Sequence, residues 1–114
     1  MIIVVGFDGS NVAAEAVDLA IRHAKAFQGR IALVWSLVKG TEEDQEDIAA
    51  AEKALAYRQG LVQKAGLECG VHLLIRGREP GEDLVDFAAE NQAAAIIIGI
   101  RRRSKGGKLL FGST

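Results

Sequence analysis

Two short stretches of this chain hold residue types that bind anions and sugars. Asp8-Gly9-Ser10 follows the apolar run Met1–Gly6, and GIRRRSKGGKLLFGST, residues 99–114, follows AAAIIIG. In the first, glycine permits a sharp exit from a strand, and Ser10 can open a helix whose free N–H groups attract negative charge. Asp8 can accept hydrogen bonds from a ribose or a base, help to hold a cation, or simply cap the turn or the helix. In the second, Gly99, Gly106, Gly107 and Gly112 would let the backbone approach a ligand, while Arg101, Arg102, Arg103, Lys105 and Lys108 make the segment electropositive. Gly112-Ser113-Thr114 adds a backbone donor and two hydroxyls suited to phosphate oxygens. The spacing is neither GxxxxGK[ST] nor a GxGxxG after the first strand, so the two commonest phosphate-binding fingerprints are excluded.

The rest of the chain offers binding groups without a catalytic set. His23 falls inside the first helix and His72 in a strand, so no Ser/His/Asp or Cys/His arrangement assembles beside Asp8; both are expected to be structural. Cys69 stands alone, which excludes an internal disulfide framework and a multi-cysteine metal site and fits a reducing compartment. No metal-ligand spacing and no pair of carboxylates aimed at one point is present, and the chain is expected not to be an enzyme.

These residues must be positioned by alternating elements. Met1–Gly6 reads as a buried parallel strand. The next segment reads as a helix capped by Ser10, with Ala13, Ala16, Val17, Ala20, Ile21, Ala24 and Phe27 at helical spacing and Gly29 as its stop. A second strand runs from about Arg30 to Leu37. A long helix capped by Thr41, with Asp44 three residues on, ends at Gly66. LECGVHLLIRG is a third strand, Pro80-Gly81 turns into a shorter helix bearing Leu84, Val85, Phe87 and Ala88, and AAAIIIG is the fourth strand. Such alternation implies an α/β fold, a flavodoxin-like or Rossmann-like open parallel sheet with helices on both faces. An order of 3-2-1-4 would set the carboxyl ends of strands one and four side by side, where ligands bind in such folds, with Asp8 and Gly99 flanking one crevice.

Length and charge narrow the partners. A chain of 114 residues is expected to be one domain, 1–114. A net charge of −1 gives no general reason to expect nucleic acid or a membrane surface. The start of the chain has no basic leader, and a cytoplasmic protein is expected. Glu42, Glu43, Asp44, Glu46 and Asp47 suit the first turn of the second helix.

With its motifs in place, the chain resembles a universal stress protein domain. IIVVGFDGS, GREPGEDLVDFAAE and AAAIIIGIRRRSKGGKLLFGST carry the likeness, which spans essentially the whole chain. The family's nucleotide signature is Gly, two residues, Gly, nine residues, Gly, then Ser or Thr; Gly99, Gly112 and Ser113 keep its register. The resemblance implies an adenine nucleotide (ATP, or AMP or ADP) with Mg²⁺ on its phosphates. Adenine and ribose would lie against Phe7, Asp8, Ser36 and Ile98, and the phosphates among Gly99, Arg102, Gly112, Ser113 and Thr114. It also implies a homodimer, and a further helix and strand after Thr114, so the fifth strand is expected to be absent from this chain and strand four to lie at the sheet's edge. Two positions depart from the family. Arg102 stands where the second signature glycine belongs, either gripping phosphates or blocking the loop. Trp35-Ser36 replaces a histidine-valine pair whose contact to the base is expected through backbone. Two functions follow: a stress or signalling module that holds nucleotide without rapid turnover, or a dimeric interaction scaffold of the same family that binds none.

Overall fold

The computed structural model describes residues 1–37, 45–77, 79–102 and 106–113, with side chains for all of these except 45, 80, 100–102 and 106–113. In chain order the elements are β1 (Ile2–Gly6), α1 (Asn11–Phe27), β2 (Arg30–Leu37), α2 (Gln45–Lys64), β3 (Cys69–Ile75), α3 (Pro80–Glu90), β4 (Ala95–Arg102) and β5 (Gly106–Ser113). They form one sheet in the order β3-β2-β1-β4-β5. The pairings β1–β2, β1–β4 and β2–β3 are parallel, as the strand–helix alternation predicts.

The alternation of side chains along each strand sorts the core into two layers. Ile3, Val5 and Phe7 of the first strand region, Ile31 and Leu33 of β2, and Ile97 of β4 pack with α1 and α2. Val4, Ala32, Val34 and Ile96 face the other way and pack with Leu84, Phe87 and Ala88 of α3. Central parallel strands are covered on both sides, which is why Met1–Gly6 reads as an unbroken apolar run. Each fully buried Val, Leu or Ile contributes about 1.5–3 kcal/mol relative to exposure.

Ser10 caps α1 as expected: its Oγ accepts the Ala13 N–H at 3.1 Å. The helix ends one residue earlier than its glycine suggests. Gln28 takes the left-handed conformation (φ 55°) and donates its N–H to the Ala24 carbonyl. Gly29 still helps to close the helix, donating its N–H to the same carbonyl at 2.8 Å, and it also lets Met1 approach, since a Cβ there would lie 3.2 Å from the Met1 carbonyl oxygen. The expected cap of the second helix, Thr41 with Asp44, lies outside the described residues. Glu46 and Asp47 do occupy the first turn of α2.

The sheet is one strand wider than expected. β4 continues past Gly99 to Arg102, and β5 pairs with it antiparallel, Gly99 opposite Leu109 and Arg102 opposite Gly106. The segment expected to be an open glycine-rich loop is therefore largely hairpin, and β4, expected at the sheet's edge, is covered by residues 106–113. Physically, an uncovered β4 would present a row of unpaired backbone N–H and C=O groups, and the KLLF sequence has the propensity to pair with it.

Candidate functional site

The register levels three strand ends against one another. Gly6 pairs with Val34 on one side and Ile98 on the other, and the Phe7 N–H donates to the Val34 carbonyl at 2.9 Å. The next residues along each strand, Phe7-Asp8, Trp35-Ser36 and Gly99, therefore meet at the carboxyl edge. They line a cavity of about 170 Å³, closed on one side by Leu84 from α3. Of the residues singled out from sequence, Phe7, Asp8, Ser36, Ile98 and Gly99 come together here.

Each wall has a local cause. Asp8 is exposed, and its Oδ1 accepts the Ser10 N–H at 2.9 Å, fixing the turn into α1. Gly9 has φ +81°, a conformation that side chains resist, and Trp35 covers it: a Cβ on Gly9 would lie 3.1 Å from the Trp35 ring. Trp35 in turn meets Phe7 edge-on, ring centroids 5.8 Å apart. The Arg58 guanidinium stands 5.9 Å from the Phe7 ring centroid on the far side of the sheet from α3.

Gly99 is required by packing. A Cβ there would overlap the Val12 backbone carbonyl and come within 2.6 Å of Val12 Cγ1, so the first turn of α1 lies directly on β4. Gly6 makes room for Leu84, whose Cδ1 would be 2.8 Å from a Cβ on Gly6. The two glycines let α1 and α3 close on opposite faces of the same strand ends.

The structure does not bring Gly112 and Ser113 to this cleft. They pair with Ile96 and Ala95, at the amino end of β4. At about 3.3 Å per residue, Gly112 lies roughly 10 Å back from the level of Gly99, one strand across. Arg102 closes β4 three residues beyond Gly99, and Thr114 lies outside the described residues.

Sequence reasoning missed the charged group behind the cleft. Asp83 of α3 is fully buried, with Ser36 Oγ donating to its Oδ2 at 2.6 Å and Arg76 Nε donating to its Oδ1 at 2.7 Å. These hydrogen bonds, first to Asp83 and then to Glu90, raise the Arg76 pKa above its ordinary value. A signal was available: Asp83 falls one residue before Leu84 and four before Phe87, on the face that α3 buries.

The whole chain, residues 1–114, matches the family model of the universal stress protein family. The chain belongs to the universal stress protein family. It is similar to a universal stress protein from Archaeoglobus fulgidus, at 43% identity and a TM-score of 0.83 over 99% of this chain and 86% of that one. A structure of the universal stress protein from the same organism in complex with dAMP is 38% identical, with a TM-score of 0.78 over 86% and 79%. A protein of the universal stress protein family from Burkholderia pseudomallei is 25% identical, with a TM-score of 0.71 over 85% and 79%. No curated protein sequence matches the chain closely enough to count as a relative.

Proposed function

We propose that this universal stress protein binds an adenine nucleotide at the carboxyl edge of its sheet, with ATP as the physiological form, and holds it without turning it over. One observation carries the reading: Phe7, Asp8, Ser36, Ile98 and Gly99 converge on one cleft, in a chain 38% identical to a family member solved with dAMP. A cavity of about 170 Å³ is smaller than the ~300 Å³ at which whole drug-sized ligands begin, and suits the base alone. Asp8 at its mouth is placed to accept from a ribose hydroxyl. Mg²⁺ would arrive on the phosphates of the nucleotide. Among the described residues no helix is long and apolar enough to cross a membrane. The lone cysteine supports a cytoplasmic setting, and the family resemblance a homodimer.

Arg102 decides how the phosphates are held. As a clamp, its loss in Arg102→Ala should weaken ATP by about 1.5–3 kcal/mol, tenfold or more. Calorimetric titration of wild type, Arg102→Ala and Arg102→Gly with ATP and AMP, with and without Mg²⁺, tests this. A wild type that binds poorly while both variants bind better would overturn the clamp. ATP turnover at about 1 s⁻¹ or faster would overturn the reading as a holder of nucleotide.

The second reading is the interaction scaffold. Two observations favour it: arginine at the second signature glycine, and the β4–β5 hairpin that sets Gly112 and Ser113 away from the cleft. Absence of any binding to ATP, ADP and AMP, with dimers in light scattering, would establish it in place of the first.

A further inference from the structure

A buried carboxylate stands directly behind the pocket, bonded to one wall, Ser36, and next in sequence to another, Leu84. Asp83 is the one charged or polar residue fully buried among the described residues. Its lone pairs are met from two strands. Ser36 Oγ at the end of β2 donates to Oδ2 at 2.6 Å, and Arg76, just after β3, donates through Nε to Oδ1 at 2.7 Å, with Nη2 ion-paired to the same oxygen at 2.6 Å. Arg76 Nη1 continues the chain to Glu90 Oε1 at 2.9 Å, at the other end of α3. Burying a carboxylate is costly unless it is fully paired, so this arrangement holds only in one geometry.

That geometry reaches the pocket by two routes. Ser36 is itself a wall residue, held by its hydroxyl. Leu84, the next residue after Asp83, closes the pocket over Gly6. At the start of α3, Glu79 stands at the N-cap without a capping hydrogen bond from its side chain. Asp83, in the helix's first turn, ties that end to Ser36 and Arg76 and interacts favourably with the helix's positive end.

We propose that Asp83 is a positioning residue for the base pocket, setting the seat of Leu84 over Gly6 and the orientation of Ser36. The ligand side of this proposal rests on the nucleotide reading above; the shape side does not. AMP is titrated at 10 °C, well below unfolding, against wild type, Asp83→Ala, Asp83→Asn, Ser36→Ala and the double variant Asp83→Ala/Ser36→Ala, with emission from Trp35, the chain's single tryptophan and a pocket wall, as the signal. Val62→Ala, a cavity in the α2 core, serves as a variant that is destabilised but unaltered at the pocket.

Asp83→Ala and Asp83→Asn are expected to weaken AMP at least fivefold, Ser36→Ala two- to threefold, and the double variant no more than Asp83→Ala alone, because the two residues act as one unit. Val62→Ala is expected to bind as wild type. Without ligand, the nuclear Overhauser contact between the Leu84 methyls and the Gly6 α-protons should be strong in wild type and Val62→Ala and weak in Asp83→Asn. Wild-type affinity in Asp83→Asn together with an intact Leu84–Gly6 contact would overturn the proposal. Equal losses in Val62→Ala and Asp83→Ala would reduce Asp83 to a stabiliser and overturn it too. Failure of wild type to bind AMP would instead overturn the nucleotide reading, and the ligand-free contact would still decide whether Asp83 shapes the pocket.

Discussion

The two ends of the sheet are built from the same strands and treated very differently. At the carboxyl end, Gly6 and Gly99 admit Leu84 and Val12 at distances no side chain tolerates, and a buried carboxylate locks Ser36 to α3. At the amino end the chain reverses through ordinary turns. The Ala94 N–H donates to the Ile2 carbonyl and the Arg30 N–H to the Met1 carbonyl, and the left-handed residues Gln28, Gly66 and Gln92 stand in open turns. Hollows at that end are larger, about 600 and 390 Å³, yet the first is an open crevice between chain reversals lined by Met1, Gly29 and Gly66. Size does not mark the site. The tightest approaches, at Gly6 and Gly99, and an enclosed charge do, because both are costly and both sit at one end.

The sharpest way to break this contrast is Gly99→Ala. The added methyl would run into the Val12 backbone, which cannot swing aside as a side-chain end can. Overpacking of this kind costs about 1–3 kcal/mol, and the upper end is expected here. Urea denaturation should show the loss, and nucleotide binding should fall with it, since α1 must lift from β4. An Ala variant as stable as wild type would mean that Gly99 is not needed for packing and that its place in the signature has some other cause.

Much of this contrast was legible beforehand. Alternating elements imply a parallel sheet, the order β3-β2-β1-β4 is the flavodoxin-like default for one, and Asp8 beside Gly99 follows from that order. What could not be read is where packing overrode local signals. Gly29 reads as the stop of α1 and its N–H does close on Ala24, but Gln28 takes the left-handed turn, and Gly29 also makes room for Met1. The glycines of the 99–114 stretch signal a loop, while its Leu-Leu-Phe core and the open edge of β4 favour pairing. Asp83 carries no local mark of its burial, because an acidic residue in a helix's first turn is ordinarily a surface group.

A second test belongs to the amino end, where burial serves only the core. Cys69 begins β3 level with Ile31, and burial pushes its thiol up from 9.0 to about 11. The neutral thiol is the form the folded state favours, so the unfolded chain releases its proton first as pH rises. Stability from this group is full below about pH 9 and is lost progressively up to about pH 11. Denaturation midpoints of wild type should fall across that window more steeply than those of Cys69→Ala, and thiol reagents at pH 8 should react slowly with the native protein. Rapid labelling at pH 8 would show that the amino end of β3 is open.

The smallest expected effect sharpens the comparison from the other side. If the amino end carries no functional constraint, its strain should be removable at no loss. Gln28 is exposed and sits at φ 55°, ψ 42°, where a side chain costs about 1–2 kcal/mol and glycine costs none. Its contribution to the turn is the backbone N–H to Ala24, which glycine retains. Against the relief stands the greater freedom that glycine gives the unfolded chain, about 0.4–1 kcal/mol. Gln28→Gly is therefore expected to stabilise by about 0.5 kcal/mol, the difference between strain relieved and entropy lost. Thermal melts and AMP titrations should show a small rise in midpoint with unchanged affinity. A gain in stability coupled to a loss of affinity would mean that this distant turn reaches the cleft through α1, and the two ends of the sheet would have to be treated as one device.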